Sequence, residues 1–377
     1  MEMKHEQAPD ERLVTVFLCG DVMTGRGIDQ ILPHPSDPRI YEPVMTDARA
    51  YVALAEDVNG AIPGPVDFSY IWGDALAELQ RVAPDARIVN LETSVTRSHK
   101  ALPKGINYRM HPENVGCITA AGIDACVLAN NHVLDYGYSG LVETLETLHR
   151  VGLKTTGAGR TRGQARRPAV VDVAADSRVV TYGFGAETSG IPPSWAASDE
   201  LPGVDFIADL SDETAAAIVD RARAVKRSGD VTIASIHWGT NWGYEVPPEH
   251  VRFAHRLIDG GVDVVHGHSS HHPRPIEVYR SRLILYGCGD FINDYEGIRG
   301  YEEYRSDLSL MYFATLNPGR GDLVRLRMTP LQIRQMRLNR AAPHDAEWLT
   351  DTLTRISSDF GSRVGAADDG SLVLRPR

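Results

Sequence analysis

Cysteine is scarce: Cys19, Cys117, Cys126 and Cys288 lie far apart in 377 residues, inside apolar or glycine-rich stretches. That spacing offers neither a disulfide framework nor a cysteine metal site, so buried free thiols in a reducing compartment are expected. No apolar run approaches the roughly 18 residues that a membrane helix needs. The first nine residues are polar and acidic and lack the apolar core of a signal peptide. A chain without a membrane span, in the cytoplasm, is the expectation. Lysine is also rare, at five of the 39 basic residues, an arginine bias that fits GC-rich coding and needs no functional reading. Acidic residues number 50, giving a net charge of −11. A general nucleic-acid binder needs a basic face, so that class is set aside. Internal repeats and low-complexity tracts are absent.

What remains is a chain of 42% apolar and 24% charged residues, an ordinary globular composition. Short apolar runs at Leu13–Cys19, Ala86–Asn90, Ala125–Ala129, Val179–Phe184, Val231–Ile236 and Val262–His266 read as strands. Between them Asp74–Arg81, Gly137–Val151, Asp212–Arg227 and Glu249–Asp259 read as amphipathic helices. Alternation of this kind implies helices packed on sheet faces, hence an α/β layered fold. From Pro275 the texture turns to β, with Ile276–Tyr279, Leu283–Tyr286, Leu308–Leu316 and Leu323–Leu331, and a terminal helix is expected near Asp345–Ile356. A second, antiparallel sheet is expected there. Residues 32–72 are irregular and proline-rich, a long insertion read either as a lid or wall of a cleft or as a surface excursion with a short helix at Ala48–Glu56.

The unusual residues gather at strand ends. Asp21 follows the first strand in Gly-Asp-Val-Met, and Glu92 follows the second in Asn-Leu-Glu. Asn130, Asn131 and His132 follow the third, His237 the fourth, and His268 and His271 the fifth. In open α/β sheets, ligands bind outside the carboxyl ends of the strands, which would bring these groups to one locus. Singly, each has an ordinary reading as a cap, an ion-pair member or a hydrogen-bonded core histidine. Together they supply the fixed oxygen and nitrogen donors that a divalent cation takes. Converging them without an ion would bury polar groups short of partners.

These motifs, with Leu128–Gly137, Gly267-His-Ser-Ser-His271 and Leu285-Tyr-Gly-Cys-Gly-Asp-Phe291, resemble in order the CapA (poly-γ-glutamate capsule synthesis) family. That family is similar to the calcineurin-like metallophosphoesterases. The resemblance implies one domain over residues 1–377, an αββα two-sheet sandwich of mixed sheets with helices on the outer faces. It implies metal-site positions at Asp21, Glu92, Asn131, His237, His268 and His271, with His132 as the acid/base histidine. Three departures stand out. Met23 occupies the place of a second-metal histidine, Glu92 that of a bridging aspartate, and Asp290 that of the asparagine in Gly-Asn-Phe. A lost ligand weakens two-metal clamping, so a single ion (calcium, magnesium or manganese) is expected.

With a hard ion held by oxygen ligands, His132, His237, His268 and His271 would stay free as acids and bases, and Asp290 would form a His/Asp pair. Proton removal and return at a peptide Cα would suit such a set. The leading expectation is therefore a metal-dependent isomerase, a peptide epimerase of the branch serving ribosomal lasso peptides, acting on a peptide substrate. No N-terminal anchor of the kind common in capsule members is expected from the polar first residues. Capsule or poly-γ-glutamate biosynthesis and a phosphoesterase-like hydrolase are the alternatives. Arg26, Lys104, Arg109 and Arg274 are candidates to hold a peptide carboxylate, and Trp72, Trp238, Trp242 and Tyr244 to form an aromatic wall.

Overall fold

The computed structural model describes residues 13–173 and 177–376. The N-terminal segment on which the signal-peptide and location readings rest lies outside them. Two mixed sheets stack face to face. The first contains Val14–Leu18, Asp21–Val22, Ala86–Leu91, Ala125–Val127, Asp290–Ile292, Leu308–Leu316 and Leu323–Ile333 among its strands. The second is built on Arg178–Ala186, Val231–His237, Val264–His268 and Arg282–Leu285, all parallel.

Side-chain alternation along the strands explains the layering, because successive residues point to opposite faces of a sheet. Val16, Leu18 and Ile88 face inward to meet Val179, Ile233 and Val264 of the other sheet. Phe17, Val89 and Cys126 face outward onto Leu79, Leu141 and Leu145. Val180, Ala234 and Ile236 face outward onto Ile218, Val219, Phe253 and Leu257 of the helices Asp212–Val225 and Pro248–Asp259. The result is the αββα sandwich. Buried on both faces, the strands read as near-continuous apolar runs rather than alternating ones. The helix Asp212–Val225 starts where Ser211 Oγ accepts the Thr214 N–H at 3.1 Å, a cap that contributes about 1 kcal/mol. All four cysteines are free and buried.

The C-terminal region corrects one expectation, since it forms no separate sheet. Leu308–Leu316 pairs antiparallel with Val14–Leu18, register Val14 to Leu316, and so extends the first sheet. Ile276–Tyr279 and Arg282–Leu285 close the edge of the second. Leu308, Leu310, Tyr312, Ala314 and Leu316 fill the space between the sheets, while Met311 and Phe313 face the outer helices. A strand that is apolar on both faces cannot sit in a one-sided satellite sheet. The helix Pro343–Ser357 adds Leu349 and Leu353 to the same inter-sheet core.

Within residues 32–72 the helix runs Arg49–Asn59, and Tyr51, Ala55, Ile62, Val66, Ile71 and Trp72 are buried against the outer core. No helix among the described residues is long and apolar enough to cross a membrane.

Candidate metal centre

The strand Val264–His268 begins two residues later than its pattern suggests, which places His268 at its very end. It pairs with Val231–His237 so that Ser235 opposes His266 and His237 opposes His268. The first sheet brings Asp21 opposite Asn90 on one side and Asp290 on the other. Asp21, His237 and His268, all buried, then hold ligand atoms within 4.8 Å of one another. Glu92 Oε1 lies 3.7 Å from His237 Nε2 and 3.9 Å from His132 Nε2.

Hydrogen bonding decides which ring atoms carry protons. The Cys19 carbonyl can only accept, so His266 Nε2, 2.8 Å away, donates to it. His266 Nδ1 must then accept from Ser235 Oγ at 2.9 Å. The Ser235 oxygen is left to accept from His268 Nε2 at 3.0 Å. His268 Nδ1 therefore presents a bare lone pair, 3.8 Å from Asp21 Oδ1. His237 donates its Nε2–H to Asn131 Oδ1 at 3.1 Å, which leaves His237 Nδ1 bare as well. The two bare nitrogens face each other at 2.8 Å. Two lone pairs at that distance repel unless a proton or a metal ion lies against both, and carboxylate plus imidazole is a donor set that divalent ions take. This is the sense in which the residues fit a metal ion.

Electrostatics agree. Asp21 accepts from Asn90 Nδ2 at 2.6 Å and from the Ser269 N–H at 3.1 Å. Burial, and then the charge of Asp290, still push its pKa up to about 7. Burial and the Asp21 charge raise Glu92 well above the usual carboxylate range. Burial holds His237 and His268 well below the ordinary imidazole value. Neutral imidazoles beside carboxylates that resist ionisation are what a site prepared for a cation looks like without one.

The other expected residues flank this group in two units. His132 Nδ1 lies 2.7 Å from Asp135 Oδ2, which also accepts the Tyr108 N–H at 2.6 Å. Lys104 Nζ donates to Asp135 Oδ1 at 2.8 Å and to the Asn131 carbonyl. The His132 ring stacks on Tyr108 at 3.8 Å between centroids. Its pKa is lowered to about 4, mainly by burial. On the opposite flank, His271 Nδ1 is 3.0 Å from Asp290 Oδ1, while Asn293 donates to Asp290 Oδ2 at 2.9 Å. Despite burial, Asp290 raises the His271 pKa. Trp242 stacks face to face on Tyr301 at 4.0 Å and lies 5.2 Å from His271. Met23 is buried, its sulfur accepting the Gly25 N–H, so no nitrogen ligand stands there.

Several candidates have other partners. Arg26 is ion-paired with Glu42 and Asp294 and covers the rings of Tyr51 and Tyr108. Arg109 donates to the carbonyls of Ser98 and Asp37. Arg274 donates to Thr240. Trp72 and Trp238 belong to the outer cores, their indole N–H groups bonded to the Cys117 and Tyr286 carbonyls. Sequence reasoning missed Ser235, His266 and Asp135. A period of two in His266-Gly-His268 and a spacing of three from His132 to Asp135 were the available signals.

The description "Bacterial capsule synthesis protein PGA_cap" matches residues 15–295, and the chain belongs to that family. A Mycobacterium tuberculosis protein named probable polyglutamine synthesis accessory protein is 51% identical over 370 residues, covering 97% of this chain and 96% of its own length. The Bacillus subtilis PGA biosynthesis protein CapA is 27% identical over 323 residues, or 86% of this chain and 72% of that protein. A solved Thermus thermophilus structure, TT1561, aligns over 83% of this chain and 97% of its own at 10% identity, with a TM-score of 0.34.

These relatives overturn the expected peptide epimerase and the isomerase assignment with it. They carry the names of accessory and capsule-biosynthesis proteins, and none points to the lasso-peptide branch. Of the four histidines expected to stay free, His237 and His268 turn on each other at 2.8 Å.

Proposed function

We propose that this chain is an accessory protein of poly(amino acid) synthesis, of the polyglutamate or polyglutamine type. One observation carries the reading: near-full-length identity of 51% with a relative of that name. On this reading the centre holds a single divalent ion through Asp21, His237 and His268, with Glu92 and Asn131 beside it. Two imidazoles among three ligands favour a first-row transition ion over calcium or magnesium, and manganese is the one of the expected ions that belongs to that group. When bound, such an ion polarises a carbonyl or carboxylate oxygen. His132, fixed by Asp135 and Lys104, presents its Nε2 edge to the polymer's amide or carboxyl groups, while His271 is held between Asp290 and Asn241 at 3.0 Å each. The partner is thus a peptide-like chain. Both sheets take strands from the two halves of the sequence, which supports one working domain.

The test is complementation in the organism that encodes the chain. After deletion, cell-associated glutamate or glutamine polymer, measured by acid hydrolysis and amino-acid analysis, should fall. The wild type should restore it, and folded Asp21→Asn and His268→Ala variants should not. Unchanged polymer after deletion, or full rescue by both variants, would contradict the reading.

A further inference from the structure

Three arginines are buried among the described residues, and they differ in what balances their charge. Arg26 lies between the Glu42 and Asp294 carboxylates. Arg109 spends its donors on the Ser98 and Asp37 carbonyls and on His99, and lies close enough to the Asp37 carboxylate to influence its ionisation. Arg274 is 3% exposed and has no carboxylate partner among the described residues. One terminal nitrogen donates to the carbonyl and hydroxyl of Thr240 at 2.8 and 3.0 Å. Its Nε is buried without any partner. A guanidinium keeps its charge in proteins, and a buried charge without a counter-ion is strongly unfavourable.

The surroundings repeat the deficit. His272 is fully buried, and its Nδ1 lies 3.0 Å from the Pro273 carbonyl, so Nδ1 carries the proton and Nε2 is a bare acceptor. That Nε2 has no partner, and neither has the buried hydroxyl of Tyr244. The Tyr304 ring packs 4.5 Å from His272 and 5.2 Å from Tyr244, and its phenol acts electrostatically on Arg274. At the outer side, the exposed Arg355 covers Tyr244 at 5.1 Å. One buried cation, one orphan hydroxyl and one orphan acceptor therefore share a neighbourhood next to His271. A chain of amides bearing carboxylates complements that set: a carboxylate for Arg274 and Tyr244, an amide N–H for His272.

We propose that Arg274, with Tyr244 and His272, forms a subsite that binds a carboxylate-bearing unit of an acidic poly(amino acid) beside the metal centre. This rests on the polymer reading above and names the charged unit recognised. Thr240, an exposed residue, contributes the carbonyl and hydroxyl that an entering carboxylate replaces.

The experiment is titration of metal-loaded, full-length protein with a γ-linked glutamate pentamer, followed by calorimetry. A glutamine pentamer and inorganic phosphate are run beside it. The glutamate pentamer should bind, and the other two should bind more weakly. Arg274→Gln should weaken the pentamer about 10-fold or more, as loss of a charge-assisted fork would. Arg355→Gln should weaken it a few-fold, with metal content unchanged in both. If Arg274→Gln does not fold, Arg274→Lys, which keeps the charge and loses the fork, should show the same direction. Equal binding by the folded Arg274 variant and the wild type would overturn the proposal, as would equal binding of glutamine pentamer or phosphate. A wild type that ignores the glutamate pentamer yet restores polymer in cells would overturn this subsite and leave the accessory role standing.

Discussion

The two sheets bring different chemistry to the rim they share. The first supplies oxygen: Asp21, Asn90, Glu92, Asn131 and Asp290 all sit at or just beyond its strand ends. The second supplies nitrogen: His237 and His268, with His266 and Ser235 behind them. Neither sheet alone offers a complete cation site. An ion would therefore act as a further bond between layers that meet through apolar side chains and a few hydrogen bonds, such as that from His266 to the Cys19 carbonyl, and its loss should be felt in the packing of the sandwich as well as at the rim.

The sharpest way to break that comparison is to remove one donor from each side. Asp21→Ala and His268→Ala should each abolish the thermal stabilisation that manganese gives the wild type. That stabilisation is worth about 2.7 kcal/mol when the ion stands at a hundred times its Kd. Differential scanning fluorimetry with and without manganese reads this directly. If either variant still responds as the wild type does, the two-sided site is wrong.

Proton competition sharpens it next. With its pKa raised to about 7, Asp21 stabilises the ion-free fold fully below the usual carboxylate value, and that contribution is lost as pH rises through 7. His237 and His268, shifted down, contribute stability above the ordinary imidazole value of about 6.5 that is lost as pH falls through their lower values. An ion replaces the proton on Asp21 and needs the imidazoles neutral. The rise in Tm on adding manganese should therefore be larger at pH 8 than at pH 5.5, and a rise independent of pH would count against these ligands.

A smaller effect is expected one layer back. Ser235→Ala removes the hydroxyl that links His266 to His268, freeing the His268 tautomer. Metal affinity should fall about 10-fold, the lower end of what supporting hydrogen bonds contribute, with the fold intact. Unchanged affinity by competition with a fluorescent chelator would show that the relay does not set the tautomer. Smallest at the metal is Asp135→Asn, which loosens His132 and the Tyr108 backbone. It should lower stability by about 1–3 kcal/mol in a denaturant melt while leaving metal affinity within a few-fold. A large loss of metal would mean that His132 is itself a ligand.

The oxygen side was far more legible in the sequence than the arrangement of the nitrogen side. Asp21, Glu92 and Asn131 follow apolar runs directly, so the end of each strand announces them. His237 and His268 were found the same way, but their mutual orientation depends on the register Ser235 to His266, a relation between strands that no local pattern carries. Ser235 looks like any small residue in a buried strand. The partners of Arg26 are hidden for a similar reason. Arg26 acquires its partners from residues 42 and 294, far off in the chain, so its fate is decided by tertiary contacts. The C-terminal strands were recognised as β, yet their place beside Val14–Leu18 follows from burial on both faces, which shows only once the layers are stacked.

The most direct test is elemental analysis of protein purified without chelators or affinity metals, beside its His268→Ala variant. The account predicts one divalent ion per wild-type chain and none in the variant. A folded wild type that carries no ion and takes up none from millimolar manganese would contradict it.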